Sequence, residues 1–145
     1  MRAPTAILTD EQRGFLHAPR YATLATIDPD GAPRAAVTWY ALQPDDRMLV
    51  NSRWGRRWPA NLRRDPRLAV AVIDFADGQR WLGLSAHVDE IVDEVERARD
   101  DIVALAHRYA GRDGPDPQSL ATFRSQPRVT FLLRIDAVHD HLADE

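Results

Sequence analysis

A chain of 145 residues, 44% hydrophobic and 28% charged, is long enough for one self-sufficient core, and a single domain over residues 1–145 is expected. With no cysteine and no lysine, disulfides, thiolate chemistry and Schiff-base catalysis are excluded, and all 19 basic residues are arginine. A net charge of −3 and a longest apolar run of only 68–73 argue for a cytoplasmic protein with neither a nucleic-acid nor a membrane partner.

Thr9, Asp10, Glu11 and Gln12 read as a capping box that opens a short helix ending near His17. Residues 21–27 form a β-rich run, and Asp28-Pro29-Asp30-Gly31 signals a turn into a second strand over 35–42. A third strand, 48–51, follows Pro44-Asp45-Asp46. Residues 56–64 are expected to be helical and to stop at Asp65-Pro66, because proline pushes the preceding residue out of the α region. The continuous apolar run from Leu68 predicts a strand over 68–74 that is buried on both faces. After a turn at Asp77-Gly78 comes a strand over 80–92. Residues 93–110 carry apolar residues at helical spacing, with acids early and His107 and Arg108 late. A Gly- and Pro-rich loop over 111–117, a short helix near Leu120 and a last strand over 128–138 complete the chain. Six strands with about four helices predict an α+β protein, its antiparallel sheet closed into a barrel to remove exposed edges.

Charge is unevenly placed along this frame. Between Arg53 and Arg67 stand six arginines and one acid, a local charge of +5 in a protein of −3. A strand ending at Asn51 and Ser52 runs into Gly55, which allows close backbone approach; Arg56 and Arg57 follow, and Pro59 suits a first helical turn. Free N–H groups and the positive end of a helix dipole, beside guanidinium groups, make an anion site. Arg53, Arg56 and Arg57 are the candidate phosphate ligands, while Arg63, Arg64 and Arg67 lie a turn or more beyond and read as solvated. Trp39, Trp54, Trp58 and Trp81 fall within a short stretch and suggest an aromatic-walled pocket, with Trp58 and Trp81 as its walls. The histidines have no metal-ligand spacing beyond His139-Asp140-His141, and no metal is expected. No hydrolase, zincin, phosphate-loop or Rossmann pattern occurs.

The stretches Tyr21-Ala22-Thr23-Leu24-Ala25-Thr26-Ile27-Asp28-Pro29-Asp30-Gly31-Ala32-Pro33 and Gly55-Arg56-Arg57-Trp58-Pro59-Ala60-Asn61-Leu62-Arg63-Arg64-Asp65-Pro66-Arg67, with the strand over 80–88, resemble a known family. It comprises the split-barrel flavin and deazaflavin proteins related to pyridoxamine 5′-phosphate oxidase, especially their actinobacterial F420-dependent branch. The resemblance covers most of the chain and implies a six-stranded antiparallel split barrel with flanking helices, an F420 or FMN coenzyme anchored by residues 51–62, and a homodimer. It implies that Arg56 and Arg57 meet the coenzyme phosphate. Val37, Thr38, Trp39 and Tyr40 would lie along the ring, with Asn51 and Ser52 close to it and Trp81 arriving from the other subunit. Where the family carries a phosphate-binding lysine three residues before the Asn-Leu pair, this chain has Trp58. The implied reaction is hydride transfer between the coenzyme and a small conjugated substrate, with Tyr40 or a water as candidate proton donor. An FMN-dependent oxidoreductase and a non-catalytic flavin or deazaflavin carrier or sensor are the alternatives.

Overall fold

The computed structural model describes residues 7–143. Helix α1 (Asp10–His17) begins with the reciprocal cap: Gln12 N–H donates to Thr9 Oγ1 at 3.1 Å and Thr9 N–H to Gln12 Oε1 at 2.9 Å. Strands β1 (Ala22–Ile27) and β2 (Pro33–Thr38) form a hairpin through a turn in which Gly31 takes φ 88°. β3 (Ala41–Leu42) and β4 (Met48–Arg53) form a second hairpin, and α2 (Arg57–Arg64) follows. β5 (Arg67–Ile73) and β6 (Trp81–Val92) lead to α3 (Val95–Tyr109), α4 (Pro117–Ser125) and β7 (Arg128–His141). Among the described residues no helix is long and apolar enough to cross a membrane.

The strand count is seven rather than the expected six. Trp39 and Tyr40 break the run over 35–42 into β2 and β3, which pair with different partners. That break closes the sheet. The strand order is β2-β1-β5-β6-β7-β4-β3, so β2 and β3 stand at opposite edges yet are joined by two residues. Six inter-strand spacings in a flat sheet would span about 29 Å, whereas a connection of two residues reaches about 11 Å at most. The sheet therefore curls into a split β-barrel, and the α+β class stands.

A second expectation is corrected at β5, which is not buried on both faces. Leu68, Val70 and Val72 point into the barrel while Ala69, Ala71 and Ile73 face out. An apolar run can arise without a second buried face when its outward positions carry small residues. β4 has the doubly covered pattern instead, because Ile102 and Leu105 of α3 pack on its outer side with Leu49 and Leu132. The barrel interior is filled by Leu24, Tyr40, Val72, Leu82, Phe131 and Leu133 among others.

The outer face of β2, β1, β5 and β6 has an unusual composition for solvent-facing sheet. One lateral row places Val37, Thr23, Ala71 and Gly83 side by side, and Ile73 neighbours Trp81. None of these residues is charged, and Val37 is 68% exposed.

Candidate functional site

A cleft of about 660 Å³ opens where the β1–β2 turn meets the start of α2, lined by Asp28, Pro29, Asp30, Arg34, Gly55, Arg56, Arg57, Ala60, Asn61 and Arg64. Local sequence explains its floor. Gly55 holds φ 104°, a conformation that suits glycine, and this turns the chain from β4 into α2. Arg56 is the N-cap residue of α2 and makes no side-chain cap, so the N–H groups of Arg57 and Trp58 have no capping partner. Pro59, in the first turn, removes a third donor that would also have lacked an intrahelical acceptor. The cleft thus presents a helix N-terminus rimmed by four guanidinium groups.

Asp28 governs how many of those charges remain free. Its Oδ2 accepts from Arg34 Nη2 at 2.9 Å and lies 3.6 Å from Arg57 Nη1, while its Oδ1 accepts from Asn61 Nδ2 at 2.9 Å. The Asn61 hydrogen bond, followed by the Arg34 hydrogen bond, holds the Asp28 carboxyl below the usual carboxylate range. Arg64 is tethered to the Ile27 carbonyl and to Asn61 Oδ1. Arg56 forms no ion pair with the described acids, and Arg57 is more than half exposed. These two are the guanidinium groups best placed to meet an incoming anion.

The structure places Gly55, Arg56 and Arg57 in one cleft lining, which none of the other candidates joins. Arg53 lies outside the cleft lining and faces Arg128 across β4 and β7. Asn51 is buried: its amide donates to Ala98 O and Thr130 Oγ1, both at 2.9 Å, and its Oδ1 accepts from Arg128 Nε at 3.0 Å. Ser52 is also buried. Trp58 is 7% exposed and packs on Phe131 inside the barrel, so it is a core residue rather than a wall of the cleft.

Val37, Thr38 and Trp39 lie at the far end of β2 from the cleft, lining a smaller hollow with Tyr21. Trp39 stacks on Tyr109 with ring centroids 5.3 Å apart and meets Phe123 edge-on. Trp81 stacks on His141 at 4.1 Å, beside Ile73 and therefore at the opposite end of β5 from Arg67. Tyr40 is fully buried, its hydroxyl donates to Ala18 O at 3.1 Å, and burial pushes its pKa up, so it is not available as a proton donor.

Asp28, Arg34 and Asn61 were not singled out from the sequence. For Asp28 and Arg34 the signal was present, since a hairpin turn at Asp28-Pro29-Asp30-Gly31 sets its flanks side by side. Asn61 reaches β1 only through the packing of α2.

Comparison with known proteins follows this geometry. The sequence pattern of the pyridoxamine 5′-phosphate oxidase family matches residues 8–141. A solved structure described as an F420 reductase is 26% identical with TM-score 0.75, covering 91% of this chain and 98% of that one. A conserved hypothetical protein from Mycobacterium tuberculosis is 29% identical with TM-score 0.68, covering 97% of this chain and 89% of that one. The heme storage protein HutZ from Vibrio cholerae, 17% identical with TM-score 0.65 over 93% of this chain and 95% of that one, shares the fold. No curated protein matches. With nearly its whole length covered by the family pattern and its strands curled into a split barrel, the chain belongs to the pyridoxamine 5′-phosphate oxidase family.

Proposed function

We propose that this protein is an F420-dependent oxidoreductase, transferring a hydride between the deazaflavin coenzyme and a small conjugated substrate, and that it works as a homodimer. The observation that carries the reading is the arginine cleft at the uncapped N-terminus of α2. Its donors are guanidinium and backbone N–H groups, the chemistry that holds a phosphate, and charge-assisted hydrogen bonds of this kind contribute roughly 1.5–3 kcal/mol each. F420 carries a phosphodiester followed by carboxylates, whereas FMN ends in one phosphate. A cleft with four arginines suits the more extended charge, and the matched protein described as an F420 reductase supports the same choice.

When bound, the coenzyme supplies the hydride chemistry. The chain contributes position and shielding. Gly55 lets the backbone come close to the phosphate while Arg56 and Arg57 clamp it. β2 is an edge strand, paired only with β1, so its free backbone N–H and C=O groups at 37–39 are available to the polar rim of a flat ring. Trp39 closes that end with its tyrosine-backed face.

The uncharged row Val37, Thr23, Ala71 and Gly83 on the outer face of β2, β1, β5 and β6 supports the dimer. The row itself carries no charge, and small and apolar residues of this kind are complementary to a second copy of themselves. Packed in that way, Trp81 of the partner subunit enters beside the ring.

Titration of the purified protein with F420 and with FMN, followed by ring fluorescence, tests the reading. Tight F420 binding that is lost in the Arg56→Ala, Arg57→Ala variant supports it. Binding of FMN alone moves the protein to an FMN-dependent role, and binding of neither sinks the reading. If reduced F420 is oxidised by candidate acceptors no faster with the protein than without it, the role is carriage or sensing rather than catalysis.

A further inference from the structure

Most arginines with a carboxylate nearby have used it. Arg34 and Arg57 share Asp28, and Arg47 and Arg134 share Asp89. Arg53, Arg56 and Arg128 form no ion pair with any acid among the described residues. They are nonetheless close to one another. Arg53 and Arg128 are directly opposed in the β4–β7 ladder, and Arg53 Nη1 reaches back to within 3.8 Å of where a Cβ on Gly55 would stand. Arg128 is only 8% exposed, and burial first, then the positive charges of Arg56 and Arg53, bring its pKa down to about 10. Two like charges beside a buried guanidinium, with no ion-pair partner among the described acids, repel it and make its desolvation costly.

The way Arg128 is held explains what the cluster is suited to do. Its Nε donates to Asn51 Oδ1 at 3.0 Å and its Nη1 to Gln126 Oε1 at 2.7 Å, with the guanidinium set over the Phe123 ring at 5.3 Å. Asn51 is itself locked by its two amide hydrogen bonds to Ala98 O and Thr130 Oγ1, and Thr130 donates onward to Asp101 Oδ2 at 2.7 Å. Neutral amides therefore fix the direction of Arg128 without cancelling its charge, as a carboxylate would have done. An orientation fixed beforehand, with the charge left over, is what a binding group for an oxyanion requires.

We propose that Arg53, Arg56 and Arg128 form a second oxyanion site, for a carboxylate or a phosphate, adjoining the α2 cleft and sharing Arg56 with it. The site rests on the proposed function only for what bears the anion: a carboxylate on the tail of the coenzyme held in the cleft, or a free anion. An anion at this point offsets part of the cluster's charge and would be gripped from a strand end, a helix cap and a second strand at once.

Titration with inorganic phosphate, read on the arginine Nε–Hε NMR signals against a chloride control of equal ionic strength, tests the site. The expected result is a saturable shift of Arg53 and Arg128 that chloride does not reproduce. In Arg53→Gln, a half-exposed position that does not threaten the core, the phosphate dissociation constant read at Arg128 rises about tenfold or more, the loss of one charge-assisted hydrogen bond, while the shift at Arg57 persists. An Arg128 signal that ignores phosphate, or that responds identically in Arg53→Gln, overturns the proposal. F420 displacing phosphate from Arg128 where FMN does not assigns the site to a coenzyme tail; phosphate retained beside either coenzyme assigns it to a free anion. Phosphate binding at Arg128 with no coenzyme bound at all leaves this site standing while the proposed function falls. Coenzyme binding with an Arg128 blind to every anion does the reverse.

Discussion

The Asn61 side-chain amide lies 2.9 Å from Asp28 Oδ1 and 3.1 Å from Thr26 Oγ1, so a single buried residue of α2 ties the helix to the end of β1 and fixes the carboxylate that partners Arg34. The cleft depends on this tie, because Arg57 begins the same short helix one turn before Asn61 and Arg56 is its N-cap. Replacing Asn61 by alanine leaves a buried hydroxyl and a carboxylate oxygen without their donor. A stability loss of about 1–3 kcal/mol is expected in urea denaturation, together with weaker coenzyme binding.

The same contact sets a dependence on acid. The pKa of Asp28 is lowered in the fold, first by Asn61 and then by Arg34, and that of Asp65 is lowered to about 2, chiefly by Arg67. A carboxylate with a depressed folded pKa contributes stability that is present above its unfolded pKa of about 3.9 and is lost as pH falls through the folded value. Thermal melts are expected to show the midpoint falling between about pH 4 and pH 2, and Asp28→Asn is expected to make that fall shallower. An acid limb as steep in Asp28→Asn as in the parent would mean that Asp28 carries none of it.

At Gly55 the backbone φ of 104° is one that side chains disfavour. Gly55→Ala is expected to cost about 1–2 kcal/mol, although a Cβ there meets no atom closer than 3.8 Å. The strain enters at the floor of the cleft, so F420 affinity should fall more than overall stability suggests; an unchanged affinity would place the anchoring elsewhere.

Ala71 lies within the uncharged row on the outer face of the sheet. Ala71→Glu is expected to leave the circular dichroism spectrum intact and to convert a dimer into a monomer in sedimentation velocity, since a carboxylate buried between two copies has no partner there. A dimer that survives the substitution would put the interface on another surface.

Trp58 separates two roles for an indole in this family motif. Because it is packed against Phe131 and almost fully buried, Trp58→Ala should lower stability by about 3–5 kcal/mol through the cavity it leaves. Its fluorescence in the parent protein should respond little to coenzyme, in contrast to that of half-exposed Trp39.

The sequence by itself determined the local elements and the arginine-bearing turn that lines the cleft. Thr9 with Gln12, the Asp28 to Gly31 turn, Asp65-Pro66 and the glycine before Arg56 act over a few residues, where hydrogen-bond geometry and backbone sterics leave little choice. Tertiary structure alone decided the rest. Trp39 and Tyr40 read as the middle of one strand until β2 and β3 found partners at opposite edges, which is a property of closure and not of propensity. Trp58 read as a pocket wall because an indole suits a ring stack and a core equally well, and only the direction of α2 chose between them. Asn51 and Arg128 are 77 positions apart, and no local pattern links an amide on one strand to a guanidinium on another. Their meeting follows from the β4–β7 register, and so does the cluster of unpaired charge beside the cleft.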